Sequence, residues 1–293
     1  MAMKRSLLGD LWYRAFRSGN ALYLFIAINV LVFLGIGTLS LVTALGFTDM
    51  PVSAYVLSWL QLPGSAMSWL YKPWTIFTYM FTQQGLFHVL FNMLWLFWLG
   101  IIFLDFLKQR QFVFVYLAGG VVGGFLFLLA YNLVPVFRGS ALSTALIGSS
   151  ACVSAVVFAT ATLLPDYTIR MLFFGNVKLK YLALAFIVID VLAIAGLNAG
   201  GSIAHIGGAL FGHVYIRRLK SGYDWSRILG EGRRKRKMRV IRNEVVPPEE
   251  PLVPNQEVVD RILDKISQSG YDSLTKAEKD VLFKASKQGQ NEY

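Results

Sequence analysis

The chain has 293 residues, of which 55% are hydrophobic and only 15% charged, and its mean hydropathy is +0.53. These values argue against a soluble globular domain and indicate a membrane protein. The net charge of +11 lies in the N-terminal arm, the short loops and the C-terminal tail, so we interpret it as a signal of membrane orientation and expect no nucleic-acid binding.

The single cysteine, Cys152, lies within an apolar segment. One cysteine cannot form a disulfide framework or a zinc site, and no other metal-ligand cluster is apparent, so we expect neither a metal nor another cofactor. Residues 1–20 are amphipathic and basic, and the apolar segment after them is too long for the core of a signal peptide. We therefore do not expect a cleavable signal peptide.

Six apolar segments are candidates for membrane-spanning helices, given a rise of ~1.5 Å per residue. In chain order they cover residues 21–45, 86–104, 112–131, 146–164, 181–197 and 202–216. The connection between the first two spans, residues 46–85, is rich in tryptophan and tyrosine and is expected at the membrane–water boundary. The sequence thus predicts an all-α polytopic membrane protein with six spans.

Basic residues are distributed unevenly among the segments outside the spans. The N-terminal arm, residues 105–111, residues 165–180 and the C-terminal tail are rich in lysine and arginine, whereas the alternate connections contain only Lys72 and Arg138. By the positive-inside rule, this pattern predicts that both termini are cytoplasmic.

We divide the chain into four parts. They are a cytoplasmic arm, a membrane domain, a basic and proline-rich linking segment, and a C-terminal hairpin, at residues 1–20, 21–220, 221–254 and 255–293. Within the linking segment, the basic run 233–237 can meet anionic lipid headgroups, and residues 245–254 form the proline-rich linker.

The C-terminal part has the pattern of two short helices. Val258, Ile262 and Ile266 repeat at helical spacing, Gly270 ends that helix, and the segment 275–278 is a capping box that opens another. We interpret it as a small cytoplasmic helical hairpin that serves as an interaction or regulatory appendage, and we leave its partner open.

Four polar side chains fall at one depth in this arrangement. Spans two, four and six all run from the outer face inward. His88 and Asn92 lie near the start of span two, Ser150 near the start of span four, and His205 near the start of span six. At ~1.5 Å per residue, all four side chains lie roughly 3–9 Å below the outer boundary.

These residue types suit serine-protease chemistry. A neutral imidazole, here that of His205, can accept the Ser150 proton during attack and pass it to the departing amine. His88 and Asn92, at i and i+4 on one face of span two, can donate hydrogen bonds to the oxyanion, and the Ser150 amide near a helix start can supply a third. No acidic residue lies at this depth in spans two, four or six, so we predict a Ser150–His205 dyad rather than a triad.

The other polar residues of the spans receive structural interpretations. Ser149 and Ser154 are expected to hydrogen-bond the preceding turn or to pack at a helix contact. His213 lies near the inner end of span six and is expected at the interface. Asp190, in the middle of span five, is interpreted as bonding a neighbouring helix or as part of an ion path.

Glycines indicate where helices pack closely. Gly119 and Gly123 in span three, and Gly208 and Gly212 in span six, have the GxxxG spacing that lets helix backbones approach each other. Gly207 and Gly208 directly follow His205 and permit the approach of spans four and six that a Ser150–His205 hydrogen bond requires. We assign Gly148 to the same class of packing residues.

Three motifs resemble those of the rhomboid family of intramembrane serine proteases. Residues 88–92 (HVLFN) look like the family's HxxxN, residues 148–150 (GSS) like its GxS, and residues 204–208 (AHIGG) like its AHxGG. They occur in the order and in the spans that the family has, and the resemblance covers roughly residues 22–219. It implies a six-transmembrane-helix rhomboid-like bundle.

The resemblance also implies a function. It assigns a catalytic dyad to Ser150 and His205, oxyanion donors to His88, Asn92 and the Ser150 amide, and a water-filled cavity open to the outer side. The implied substrates are transmembrane-anchored proteins, cleaved near the outer boundary of the lipid bilayer without metal or ATP. The basic segment and hairpin resemble an extension of some bacterial rhomboids, which favours a bacterial cytoplasmic membrane.

The chain departs from the family pattern at four places. Ala151 follows the nucleophile where glycine is usual, and Ser154 stands where an aromatic residue often stacks on the catalytic histidine. Thr75 follows Trp74 where many members have arginine. A glutamine at position 83 or 84 replaces an additional histidine.

Two other functions stay open at this point. The first is a catalytically inactive rhomboid-like binder of transmembrane clients, against which the intact Ser150 and His205 argue. The second is a transporter that uses Asp190, His88 and His205 as an ionisable path, which the lack of an evident inverted repeat or broken-helix pair disfavours.

Overall fold

The computed structural model describes residues 6–171, 175–196, 198–230 and 256–288. The N-terminal arm carries a short helix, α1 (Leu7–Trp12), which continues as a π-helical turn, Tyr13–Arg17. The first span is α2 (Ala21–Ala44). The connection after it contains short elements, which are α3 (Val52–Leu60), β1 (Leu62–Pro63), α4 (Ala66–Tyr71), α5 (Thr75–Thr78) and the 3₁₀ turn Tyr79–Phe81.

The remaining elements of this first unit follow in chain order. They are α6 (Leu86–Phe106), α7 (Gln109–Leu133), α8 (Pro135–Arg138), β2 (Ala145–Leu146), α9 (Ser150–Leu163), β3 (Thr168–Met171), β4 (Gly175–Lys178), α10 (Leu179–Ala193), α11 (Ala199–Lys220) and the 3₁₀ turn Trp225–Leu229. The strands form two antiparallel pairs, β1 with β2 and β3 with β4.

Helices lie at the places of all six predicted spans, namely α2, α6, α7, α9, α10 and α11. By length and apolar composition, α2, α6 and α7 can each cross a membrane, while α9 is a shorter apolar helix. The predicted fold class, a helical polytopic membrane protein, is confirmed.

The ends of the helices differ from those of the predicted spans by up to four residues, and two of these differences affect the site. Span four was expected from residue 146, but α9 begins only at Ser150, because residues 145 and 146 pair with residues 63 and 62 as a strand. The 14 residues of α9 give a helix of about 21 Å, which is shorter than the ~30 Å hydrocarbon core of a bilayer. Span five was expected to reach residue 197, but α10 ends at Ala193, where a turn brings the Gly196 N–H to the Ala193 carbonyl.

The central helix of this unit is α9. It packs against α11, α7, α6 and α10, and ten of its 14 residues are buried. Its alanines face glycines of α11: a Cβ atom added at Gly208 would overlap the carbonyl oxygen of Ala151, and one at Gly212 would overlap that of Ala155. The backbones of α9 and α11 are therefore in direct contact.

Glycines of α7 complete this packing. A Cβ atom at Gly119 would overlap the side chain of Ala155, and one at Gly123 would lie 2.6 Å from the carbonyl oxygen of Ala204. A Cβ atom at Gly207 would in turn lie 2.8 Å from the Cα atom of Gly123. The structure thus places the four glycines of the predicted GxxxG pairs, and Gly207, at helix contacts.

A polar cluster ties the first turn of α7 to the segment after α11. The Asp224 carboxylate accepts hydrogen bonds from Arg110 Nη2 (2.9 Å), Tyr215 Oη (3.0 Å) and Ser226 Oγ (2.6 Å). Burial opposes ionisation of this carboxyl, but the hydrogen bonds outweigh it and hold the pKa of Asp224 below its usual value.

The C-terminal residues form a second unit that contains α12 (Gln256–Ser269), the 3₁₀ turn Tyr271–Ser273 and α13 (Lys276–Gln288). Ile262 and Leu274 are its buried apolar residues. Thr275 and Glu278 exchange the reciprocal hydrogen bonds of the predicted capping box. Hydrogen bonds from Lys265 and Thr275 lower the pKa of Glu278 to about 2. The predicted basic run 233–237 and proline-rich linker 245–254 lie outside the described residues.

Candidate active site

The four side chains that the sequence placed at one depth all line one cavity. The cavity has a volume of about 660 Å³, and its lining includes Ser150, His205, His88 and Asn92. Each of them comes from the first two turns of its helix. Because the N-terminal ends of α6, α9 and α11 meet here, their unpaired amides favour negative charge in the cavity.

Ser150 is the first residue of α9 and is partly exposed to the cavity. The segment before it is fixed by the β1–β2 pair and by a hydrogen bond from the Gly148 N–H to the Tyr79 carbonyl oxygen (3.0 Å). The first hydrogen bond of the helix runs from the Val153 N–H to the Ser149 carbonyl (2.9 Å). The Ser150 amide therefore precedes the helical ladder and is not used by it.

Gly148 makes room for His88. Its φ is +117°, in the region that favours glycine, and a Cβ atom there would lie 2.7 Å from His88 Cε1. The imidazole of His88 thus lies against the backbone that precedes Ser150. The prediction that Gly148 is a helix-packing residue is wrong, because the residue lies before the helix and contacts a side chain of the site instead.

A buried network of amides holds Asn92. Asn92 Nδ2 donates to Gln83 Oε1 (3.1 Å), while Gln83 Nε2 donates to Asn29 Oδ1 (2.8 Å) and to Ser149 Oγ (2.6 Å). An amide nitrogen carries two hydrogens, so the bond to Gln83 leaves Asn92 one hydrogen for a ligand in the cavity.

The role of Gln83 was not found from the sequence. The sequence showed only that a glutamine at position 83 or 84 replaces a histidine of the family pattern. The structure distinguishes the two residues, because Gln83 is 1% exposed while Gln84 is exposed and lines the cavity.

His205 has an acidic partner on the neighbouring helix α10. Its Nδ1 atom lies 2.7 Å from Asp190 Oδ1, a carboxylate oxygen of α10. Asp190 was expected in the middle of a span, but α10 ends three residues after it, so it lies in the last turn, next to the beginning of α11. The interpretation that Asp190 bonds a neighbouring helix is confirmed by this contact. The prediction of a dyad considered acidic residues in spans two, four and six only, and a correct C-terminal boundary for span five would have indicated the contact with His205.

The remaining polar residues have mixed outcomes. Ser149 was expected to bond the preceding turn or to pack at a helix contact; it is fully buried and accepts the hydrogen bond from Gln83. Ser154 is buried between helices and lines the same cavity as Ser150. His213 is exposed, and its Nδ1 lies 3.0 Å from Thr162 Oγ1, in the penultimate position of α9.

The cavity walls combine polar and apolar side chains. Trp95 of α6 and Phe186 of α10 both line it, with ring centroids 5.0 Å apart and planes nearly perpendicular. Among the described residues, no group of three or more histidine, cysteine, aspartate or glutamate side chains could hold a metal ion.

Comparison with protein families gives two matches. The model of the rhomboid domain matches residues 70–221, slightly more than half of the chain, and this range contains every cavity residue named above. A family of unknown function (DUF6576) matches residues 253–288, which contain both helices of the C-terminal unit. No curated protein matches the chain.

Proposed function

Because the chain belongs to the rhomboid family, we propose that it is an intramembrane serine protease acting on transmembrane-anchored proteins. The observation that carries this proposal is the common cavity, in which the Ser150 hydroxyl, the His205 imidazole and several hydrogen-bond donors meet from three helices. Helical membrane proteins gather such polar groups at functional sites, because each is costly to bury in lipid.

In the proposed reaction, Ser150 Oγ attacks the carbonyl carbon of the scissile peptide bond. As the C–O bond forms, the hydroxyl proton passes to Nε2 of His205, and the carbonyl electrons move to the oxygen. The tetrahedral intermediate then breaks its C–N bond, and His205 gives the proton to the departing amine. A water molecule repeats the sequence on the acyl-enzyme and regenerates Ser150.

The oxyanion is stabilised by donors that are already in place. Asn92 has a free amide hydrogen beside the one it gives to Gln83, and the Ser150 amide precedes the hydrogen-bond ladder of α9. His88, held against Gly148, supplies a third donor. Removing one donor of such a set costs roughly 2.7–4 kcal/mol of transition-state stabilisation where it acts alone, and less where others remain.

The orientation of the molecule belongs to the same proposal. We place both termini in the cytoplasm, on the distribution of lysine and arginine, and the cavity toward the outer face of a bacterial cytoplasmic membrane. Substrates are then cut near their outer boundary. A cytoplasmic partner of the C-terminal hairpin is left open.

A fluorophosphonate probe, which reacts with activated serines, tests the proposal in membranes. We expect wild-type protein to be labelled and Ser150→Ala not to be. Ser143→Ala is the matched control, because Ser143 lines the same cavity but is exposed and bonds only its local turn. Ser149→Ala is a poorer control, since Ser149 accepts a buried hydrogen bond from Gln83.

Cleavage of a single-span reporter substrate completes the test. We expect His205→Ala to abolish cleavage and Asn92→Ala to reduce it less, because two other donors remain. Labelling that survives Ser150→Ala, or cleavage that survives His205→Ala, would refute the assignment. A folded wild-type protein that is neither labelled nor active, yet retains transmembrane clients, would instead favour the inactive binder.

A further inference from the structure

We propose that Asp190 is a positioning residue for His205: its carboxylate fixes the imidazole in the tautomer that accepts the proton of Ser150. The catalytic consequence of this inference rests on the proposed function, whereas the contact between Asp190 and His205 is observed independently of it. It adds a residue of α10 to Ser150 and His205, the pair that the sequence motifs indicate.

The contact is short and enclosed. His205 Nδ1 and Asp190 Oδ1 are 2.7 Å apart, and the two side chains are only 22% and 11% exposed. In the part of the chain that the structure describes, His205 is the hydrogen-bond partner of this carboxylate. A short hydrogen bond between a ring nitrogen and a carboxylate in such surroundings is strong and directional.

The chemistry of the pair determines which nitrogen carries the proton. A carboxylate can only accept a hydrogen bond, so Nδ1 must be the protonated nitrogen of the neutral imidazole. Nε2 then has a lone pair, and it is the nitrogen left for the cavity that Ser150 lines. The contact therefore selects the tautomer that general-base catalysis requires, and the carboxylate stabilises the imidazolium when it forms without itself taking a proton.

The contact also compensates for the absence of a large side chain at position 154 that could pack on the His205 ring. Position 154, four residues after the nucleophile, is a small serine that cannot cover an imidazole ring. The other titratable groups that line the cavity around His205 are His88 of α6 and Tyr131 of α7, and neither is in hydrogen-bond contact with it in the described residues. Asp190 is thus the group that fixes the rotation of the ring.

Kinetics of four variants test this role. We expect Asp190→Asn to lower kcat for the reporter substrate at least 100-fold with KM within threefold, because an amide NH₂ facing Nδ1 favours the opposite tautomer. Asp190→Ala should lose less, about tenfold, since it removes the anchor without imposing the wrong tautomer. Asp190→Glu should recover part of the rate. Asp105→Asn, an exposed carboxyl in the last turn of α6, is the control and should stay within twofold of wild type.

Imidazole ¹⁵N NMR provides a test that does not depend on activity. The chain has only three histidines, so protein labelled with ¹⁵N-histidine gives three sets of ring signals, and His205→Gln assigns one of them. We expect His205 of the wild type to be protonated at Nδ1 and not at Nε2, and to change its tautomer distribution in Asp190→Ala.

The outcomes separate the two proposals. Wild-type His205 protonated at Nε2, or Asp190→Asn with kcat within threefold of wild type, would overturn the role of Asp190 even if Ser150 is labelled by the probe. A wild type with the expected tautomer but no labelling of Ser150 would refute the protease and leave the Asp190–His205 contact standing. Should Asp190→Asn fail to fold, the wild-type spectrum alone decides.

Discussion

At the scale of single residues, the candidate site depends on side chains whose positions are fixed by contacts with neighbouring residues. Gly148 shows this well, because its positive φ and its lack of a side chain together allow His88 to lie beside the segment that precedes Ser150. Asn92 is similarly held by Gln83, which also reaches Ser149. The contacts of His88 with Gly148 and of Gln83 with Ser149 join α6 and the connection before it to the residues that precede α9.

Replacing Gly148 by alanine should therefore damage the site more than the fold. We expect kcat to fall at least tenfold, because the added Cβ displaces His88, and the free energy of unfolding to fall by about 1–3 kcal/mol from the strained φ. Gly139→Ala is the control, since Gly139 has an ordinary helical φ and open space around it. Reporter cleavage and thermal unfolding in detergent measure the two effects; a fully active Gly148→Ala would contradict this account of His88.

At the scale of elements, the short helix α9 is held by glycine contacts with α11 and α7. Lipid tails are as apolar as leucine, so helices in a membrane gain stability mainly from close packing. The alanines of α9 and the glycines of α11 bring the two backbones into contact. This closeness lets a serine on one helix and a histidine on the other share one cavity.

Gly208→Val tests this interface. The side chain would meet the backbone carbonyl of Ala151, which cannot rotate away, so we expect the free energy of unfolding to fall by about 1–3 kcal/mol and probe labelling of Ser150 to be lost. Gly35→Val in α2, where a Cβ meets nothing within 4 Å, should leave both properties near the wild-type values. Equal melting temperatures for the two variants would argue against the packing role.

The polar cluster around Asp224 makes the stability of the membrane unit depend on pH. Folding lowers the pKa of the Asp224 carboxyl. The ionised carboxylate therefore stabilises the folded state at pH values above the unfolded pKa of about 3.9, and this contribution is lost as the pH falls through the pKa of the folded state.

We expect Asp224→Asn to lower the free energy of unfolding by about 1.5–3 kcal/mol at pH 7. The difference from wild type should narrow as the pH falls below about 4, because the wild-type carboxyl then becomes neutral as well. Thermal unfolding of both proteins at several pH values measures this. A difference that is independent of pH would indicate lost packing rather than a lost charge.

At the scale of the whole molecule, the orientation of the chain in the membrane determines which side of the membrane the cavity faces. Basic residues predict that the connection 134–149 lies outside and the connection 165–180 inside. The native cysteine, Cys152, is fully buried and should react little with thiol reagents in the folded protein. Single introduced cysteines can therefore report the side of each connection.

We expect a membrane-impermeant maleimide to label Gly139→Cys in intact spheroplasts, and to label Thr168→Cys only after the membrane is permeabilised. Both positions are exposed in the structure, so access rather than burial decides the result. Labelling of Thr168→Cys in intact spheroplasts would reverse the predicted orientation and place the cavity toward the cytoplasm.

The sequence by itself determined the broad plan of this protein. Apolar segments of sufficient length predicted six helices, because hydropathy and length are local properties, and three short motifs predicted that Ser150, His205, His88 and Asn92 belong to one site. The GxxxG spacing likewise identified the glycines of α7 and α11 at helix contacts, because helical periodicity places such residues on one face.

Only the tertiary structure decided how the site is supported. Helix ends depend on hydrogen bonds with distant segments, such as the β1–β2 pair that delays α9 until Ser150, and hydropathy does not contain this information. The helix α10 ends four residues earlier than predicted, so Asp190 lies in its last turn and contacts His205 instead of lying in the middle of a span. Pairing between side chains of different helices, as in Gln83 with Asn92 and Ser149, likewise arises only when packing has fixed the distance and rotation of those helices.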